Sequence, residues 1–191
     1  MNIAILLIAA GSSSRLGQPK QLLPFRGKTL LENSIQECLD SEVGAVHLIL
    51  GAFHEAILEK VQTENCQVHI NPNWQDGMST SIAFGVDQIL NKGYDGLIVS
   101  VADQPFLQKK HLIQLLENHK TNQNSIVISQ YKEGKGPPTF FMKKHFKELS
   151  NLSGDDGAKA VIKRNLGEVS FVNFEKGNID IDAAEDLFHL G

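Results

Sequence analysis

Unbroken apolar runs alternate with amphipathic stretches along almost the whole chain. Ile3 to Ile8 is six apolar residues in a row, ending in small residues at Gly11. That is too short to cross a membrane and predicts a strand buried on both faces. Thr29 and Glu32 have the spacing of a capping box, and Leu30, Leu31, Ile35 and Leu39 then share one helical face that should pack on the sheet. Ala45 to Leu50 predicts a second strand, closed by Gly51. Phe53 to Val61 has helical spacing, and Gln67 to Ile70 reads as a short third strand. A helix over Met78 to Leu90, a buried strand over Leu97 to Val101 and an amphipathic helix over Lys109 to His119 follow. The rest reads as a strand (Ser125 to Ser129), a loop (Tyr131 to Pro138), an apolar segment (Thr139 to Met142), a helix opening at Ser153 to Lys159 and a last strand, Val169 to Phe174. Strands separated by helical patterns imply an α/β fold: a mostly parallel, Rossmann-like sheet between two helical layers.

Composition narrows this picture. With 191 residues and 41% hydrophobic content, one domain over residues 1–191 with a full core is expected. A net charge of −4 without a basic cluster argues against a nucleic-acid partner. Ile3 to Ala10 lacks a charged leader, so neither secretion nor a membrane partner is expected. Cys38 and Cys66 stand far apart and read as ordinary thiols in a reducing cytoplasm. Seven scattered histidines offer no zinc spacing.

The candidate chemistry begins where the first strand ends. Ala9, Ala10 and Gly11 let backbone N–H groups approach a phosphate or a base; Ser12, Ser13 and Ser14 add hydroxyls; Arg15 and Lys20 add two cations suited to a polyphosphate. Two familiar phosphate loops do not fit. A Walker loop ending in Gly27-Lys28-Thr29 would need glycine where Leu22 stands, and a dinucleotide fingerprint would need glycine at Ser13. The helix opening after Gly77, with Ser79, Thr80 and Ser81, suits polar recognition or is a capped helix beside a packing Trp74. Asp103 ends a predicted central strand, where α/β sheets hold ligands; helix capping is the simpler alternative. Lys135 lies between two glycines, and the acidic start at Asp155 and Asp156 complements a helix dipole. Alternation puts Asp180 and Asp182 on one side.

The segment A-A-G-S-S-S-R-L-G-Q-P-K-Q-L-L-P-F-R-G-K-T-L-L resembles the signature L-A-A-G-x-S-x-R-M-G-x-x-K of nucleotidyltransferases. Among them it is most similar to the molybdenum cofactor cytidylyltransferases, within the MobA-like NTP transferases. Further segments extend the resemblance over nearly the whole chain: N-P-N-W-Q-D-G-M-S-T-S, V-A-D-Q-P, G-D-D-G-A-K and D-I-D-A-A-E-D-L. Two positions depart from the pattern. Pro137 stands where many relatives have histidine or asparagine, and Ala183-Ala184 replaces Thr-Pro.

The resemblance implies the nucleotide-diphospho-sugar transferase type of fold and a reaction. Arg15, Lys20 and Asp103 would be catalytic. Ala9, Ala10, Gly11, Ser12, Ser13, Arg15, Lys20, Gly77 and Ser81 would bind nucleotide, and Asp103 and Asp182 would hold Mg²⁺. CMP would pass from CTP to a phosphorylated pterin carrying molybdenum, with release of pyrophosphate; a molybdoenzyme apo-protein is a further expected partner. The competing readings are guanylyl transfer from GTP to the same cofactor, cytidylyl transfer to a sugar or polyol phosphate, and a silent cofactor-binding chaperone. Ala10, where guanylyl-transferring relatives have glycine, favours the smaller pyrimidine base.

Overall fold

A computed structural model describes residues 1–190. The chain runs in order through β1 (Ile3–Ala9), β2 (Pro24–Phe25), β3 (Lys28–Thr29), α1 (Leu30–Asp40), β4 (Ala45–Leu50), α2 (His54–Lys60), β5 (Gln67–Ile70) and α3 (Met78–Ile89). It continues through β6 (Gly96–Val101), α4 (Lys109–Asn122), β7 (Ile126–Gln130), β8 (Lys135–Met142), α5 (Phe146–Leu149), α6 (Lys159–Arg164) and β9 (Val169–Asn173). Among the described residues, seven strands form one sheet in the order β5-β4-β1-β6-β8-β7-β9, and β2 and β3 form a small hairpin. Pairing is parallel except for β8, which runs antiparallel to both β6 and β7.

Period-two alternation divides the core. On β1, Ile3, Ile5, Leu7 and Ala9 face a layer built from α1, α2 and α4, including Leu31, Ile57 and Leu112. Ala4, Leu6 and Ile8 face the other layer, where Ile82, Val86 and Ile89 of α3 pack with Phe146 and Val161. A strand buried on both faces has no polar side, which is why Ile3 to Ile8 is continuously apolar. Truncating one such side chain, Leu7→Ala, would cost about 2–5 kcal/mol through lost burial and the cavity left behind.

The capping box on α1 is present: Thr29 Oγ1 accepts from the Glu32 backbone N–H, and the Glu32 carboxylate accepts from the Thr29 N–H. On α2, Ile57 and Val61 are buried while Leu58 is exposed. Both cysteines are free thiols. Among the described residues no helix is long and apolar enough to cross a membrane.

The expected loop from Tyr131 to Pro138 is corrected. Only residues 131–134 turn, and Lys135 already pairs with Gln130 as β8 begins. Two prolines without N–H donors argue against a strand. The register shift between Ile128 and Ser129 accommodates them, and Ser129 Oγ donates to the Pro138 carbonyl. The helix expected from Ser153 starts later, at Lys159.

Candidate active site

The carboxyl ends of β1 and β6 are neighbours in the sheet, and here three distant segments meet. Lys20 Nζ donates to Asp103 Oδ2 at 2.6 Å and to Asp182 Oδ1 at 2.7 Å. The guanidinium of Arg15 reaches Asp182 Oδ2 at 3.2 Å. The Lys20 and Asp103 side chains are only 15% and 17% exposed, against 71% for Arg15. The first pair is therefore shielded from solvent, whereas the Arg15 contact is a surface pair worth little by itself.

Burial by itself would lower the pKa of Lys20. The charge of Asp103 and the hydrogen bonds to Asp103 and Asp182 outweigh that, and Lys20 is held above the usual lysine value. Asp180 behaves oppositely. Loss of water around its carboxyl, then the like charges of Asp103 and Asp182, push it up to about 7, although the residue as a whole is exposed. Two carboxylates thus hold the ammonium, with Asp180 close enough to feel their charge. Asp103 Oδ1 is buried with no hydrogen-bond partner in the protein.

The placement of Asp182 follows from packing. Ile181 is fully buried with Leu23, Phe25 and Leu30, and its N–H donates to the Asp103 carbonyl at 3.0 Å. That anchor directs its two neighbours, Asp180 and Asp182, to the same side. Ala183-Ala184, which replaces the Thr-Pro of the resembled pattern, is braced by Asp186, whose carboxylate accepts from the N–H groups of Asp182 and Ala183 at 2.9 and 2.7 Å.

Gln21 and Gln104 were not singled out in the sequence. The Gln21 side chain donates to the carbonyls of Ala9 and Gly11 at 2.9 and 3.0 Å, and the Ala10 carbonyl accepts from Ala52 N–H. With the carbonyls of Ala9, Ala10 and Gly11 held inward, the loop keeps a fixed shape. Ser13 has a left-handed φ of 52°, and its hydroxyl oxygen accepts from the Lys20 N–H at 3.1 Å; its proton remains available to a ligand. Ser12 is half-buried beside it. The Gln104 amide donates to the Tyr131 hydroxyl and to the carbonyls of Pro137 and Gly177, tying three loops together behind Asp103. The only sequence signal for either glutamine was its place in P-K-Q or D-Q-P.

Of the two arrangements open for the helix start after Gly77, the packed one is found. Gly77 has φ of 100°, and a Cβ there would meet Asp155 Oδ1 at 2.1 Å. The Ser79 N–H donates to the Gly154 carbonyl, so the acidic segment covers part of the α3 terminus. Ser81 is buried and its hydroxyl accepts from Asn71 Nδ2 at 3.1 Å. It braces this wall from behind. Trp74 lies against Gly51, where a Cβ would meet the Trp74 Cβ at 2.5 Å and the Ala10 carbonyl at 2.7 Å. The wall is thereby held close to Ala10.

Whether a divalent cation fits can be judged from the donors. Asp103 and Asp182 offer hard oxygens, and the orphaned Asp103 Oδ1 is an acceptor lacking a partner. Among the described residues no group of three or more His, Cys, Asp and Glu side chains is arranged to hold a metal. Two carboxylates suit Mg²⁺, which usually keeps waters and takes further oxygens from substrate phosphates.

The family model for the MobA-like NTP transferase domain matches residues 5–169. The chain is 28% identical to nicotine blue oxidoreductase of Paenarthrobacter nicotinovorans, over 97% of this chain and 94% of the relative. It is 28% identical to the purine catabolism protein PucB of Bacillus subtilis, over 95% and 92%. The structure of Rv0371c from Mycobacterium tuberculosis superposes with a TM-score of 0.88 at 25% identity, covering 100% of this chain and 97% of the other. A second Rv0371c structure, described as a complex with manganese, gives 0.84 at 23% identity, covering 100% and 98%.

Proposed function

The chain belongs to the MobA-like NTP transferase family, and from that premise we propose that it transfers CMP from CTP to a molybdenum-bearing, phosphorylated pterin. One observation carries the reading: Lys20 Nζ lies between the carboxylates of Asp103 and Asp182 at the carboxyl ends of β1 and β6. Ligands bind at such strand ends in open α/β sheets.

In the proposed reaction an acceptor phosphate oxygen attacks the α-phosphorus of CTP. The bond from that phosphorus to the oxygen bridging the β-phosphate breaks, and pyrophosphate leaves. Such transfers need positioning and electrostatic stabilisation, so no covalent intermediate on the protein is required. The loop from Ala9 to Ser13 holds the nucleotide, its shape fixed by Gln21. Lys20 and Arg15 neutralise charge that builds on the transferring and leaving groups. Asp103 and Asp182 would hold Mg²⁺, which when bound polarises the α-phosphate and shields its charge. Gly77 forms the far wall of the base site, with Ser81 bracing it through Asn71.

Two features support the choice of substrates. Ala10 is buried, its carbonyl and Trp74 both crowd Gly51, and its methyl group stands where guanylyl-transferring relatives have glycine, which favours a pyrimidine over a purine. In the segment that follows Asp182, the His189 ring is tilted against Phe188 with centroids 3.8 Å apart and meets Phe106 edge to face, while Lys176 lies 4.7 Å from the Phe106 ring. An aromatic and cationic surface of this kind suits a planar, phosphorylated acceptor. The names of the two sequence relatives concern an oxidoreductase and purine catabolism, so the acceptor rests on the site and on the family resemblance.

The test is pyrophosphate release with Mg²⁺ and a nucleotide panel, with and without molybdopterin. CTP should support acceptor-dependent release. Isothermal titration should give tighter binding of CTP than of GTP; equal or tighter GTP binding would move the assignment to guanylyl transfer.

A further inference from the structure

Lys20 lies where a divalent cation bridging Asp103 Oδ2 and Asp182 Oδ1 would bind. Its ammonium is 2.6 Å from one carboxylate oxygen of Asp103 and 2.7 Å from one of Asp182. A cation bound to those oxygens at the ~2.1 Å typical of Mg²⁺ would fall in the same gap. Two positive centres cannot share it, because they would overlap and repel in a shielded site. The Lys20 backbone is fixed by Ser13 Oγ, but its four-carbon stem lets the ammonium swing without moving the loop.

We propose that Lys20 is a tethered placeholder for the metal, which excludes divalent cations from Asp103 and Asp182 until nucleotide phosphates draw the ammonium away. The proposal rests on the nucleotidyltransferase reading above and adds the regulation of that site. Metal and nucleotide then enter as one event. The triphosphate supplies both a new partner for Lys20 and the remaining oxygens for the metal, and the exchange leaves no carboxylate unpaired. Arg15 remains on the outer oxygen of Asp182 and does not block the gap.

The test uses Mn²⁺ alone, followed by electron paramagnetic resonance of the unbound ion and by thermal melting. Wild-type protein should bind Mn²⁺ weakly without nucleotide and more tightly with CTP present. Lys20→Met should bind Mn²⁺ alone at least about tenfold more tightly than wild type, the factor equivalent to losing one charge-assisted hydrogen bond. Its melting temperature should rise with Mn²⁺ more than that of wild type does. Adding Asp103→Asn to Lys20→Met should return Mn²⁺ binding to the weak level. Because removing Lys20 leaves carboxylates unpaired, Lys20→Gln is made in parallel, and far-UV circular dichroism checks both folds. Wild type binding Mn²⁺ alone as tightly as the folded variants would overturn the placeholder. No pyrophosphate release with any nucleotide would instead overturn the enzymatic reading, and the Mn²⁺ titrations would still decide the placeholder.

Discussion

Two polar clusters, one at each side of β1, show what separates a site from a scaffold. In the first, His47 on β4 hydrogen-bonds through Nδ1 to His69 and through Nε2 to the Tyr94 hydroxyl, at 3.0 and 2.9 Å. Burial pushes His47 down to about 4, and the nearby Lys92 charge adds to it, so at neutral pH this is an uncharged network with both His47 nitrogens partnered. In the second, the Lys20 ammonium bridges the carboxylates of Asp103 and Asp182, Asp180 lies close enough to feel both, and Asp103 Oδ1 is unpartnered. The histidine cluster is a satisfied network that fixes packing. The lysine–carboxylate cluster carries unresolved like-charge repulsion at the strand ends, and a charged ligand could relieve it.

Substitutions can break or sharpen this contrast. The largest effect is expected at Asp103. Asp103→Ala should lower turnover about 10³-fold or more with an unchanged far-UV spectrum, since a strand-end carboxylate contributes little packing. Lys20→Ala follows, lowering kcat about 10²–10³-fold with a smaller change in the Michaelis constant for nucleotide. Should only the Michaelis constant move, the transition-state role of Lys20 is wrong.

Asp180→Asn should affect turnover less and stability more visibly. The raised pKa means that the folded protein retains a proton there between about 4 and about 7, whereas the unfolded chain has released it. Wild-type stability from this group therefore falls as pH rises through that window. The melting temperature of the Asn variant should exceed that of wild type by a margin that grows from pH 4 to 7 and then levels off. A constant margin would show that Asp180 carries no such shift.

His47→Gln should change turnover least, within about twofold, while lowering stability by about 1–3 kcal/mol through the unpaired groups it leaves. The pH sign here is the reverse of that at Asp180. The unfolded chain protonates His47 near 6.5 and the folded protein only near 4, so wild-type stability falls as pH drops from 6.5 to 4. Wild-type melting curves from pH 7 to 4.5 check the direction, and the His47 variant should show a shallower fall. Loss of turnover in a folded His47 variant would erase the distinction between the two clusters.

The same contrast explains what was legible in the sequence. β4 matches its expected limits and β1 and β6 differ by one residue, because buried parallel strands are largely apolar; β5, a partly exposed edge strand, also matches. Asp103 was legible from its place at a strand end, and Asp182 from the D-I-D resemblance. Their meeting at Lys20 depends on the buried Ile181 and the bond from its N–H to Asp103, contacts that span 78 residues and leave no local pattern. Gln21 and Gln104 were missed because a glutamine that bonds to carbonyls looks like any polar loop residue. The start of β8 was hidden by Pro137 and Pro138, whose missing donors are accommodated by irregular pairing. Ser81 could not be told from part of an open helix terminus because the partner that buries it, Asn71, lies across a turn.

The central claim is that the Lys20–Asp103–Asp182 cluster performs nucleotidyl transfer. The most direct measurement is pyrophosphate release from CTP with Mg²⁺ and molybdopterin, by wild type and by Asp103→Ala with a native far-UV spectrum. The account predicts acceptor-dependent release by wild type, with one pyrophosphate for each cytidylylated pterin formed, and loss of nearly all of it in the variant. A folded Asp103→Ala protein that releases pyrophosphate at the wild-type rate would contradict it.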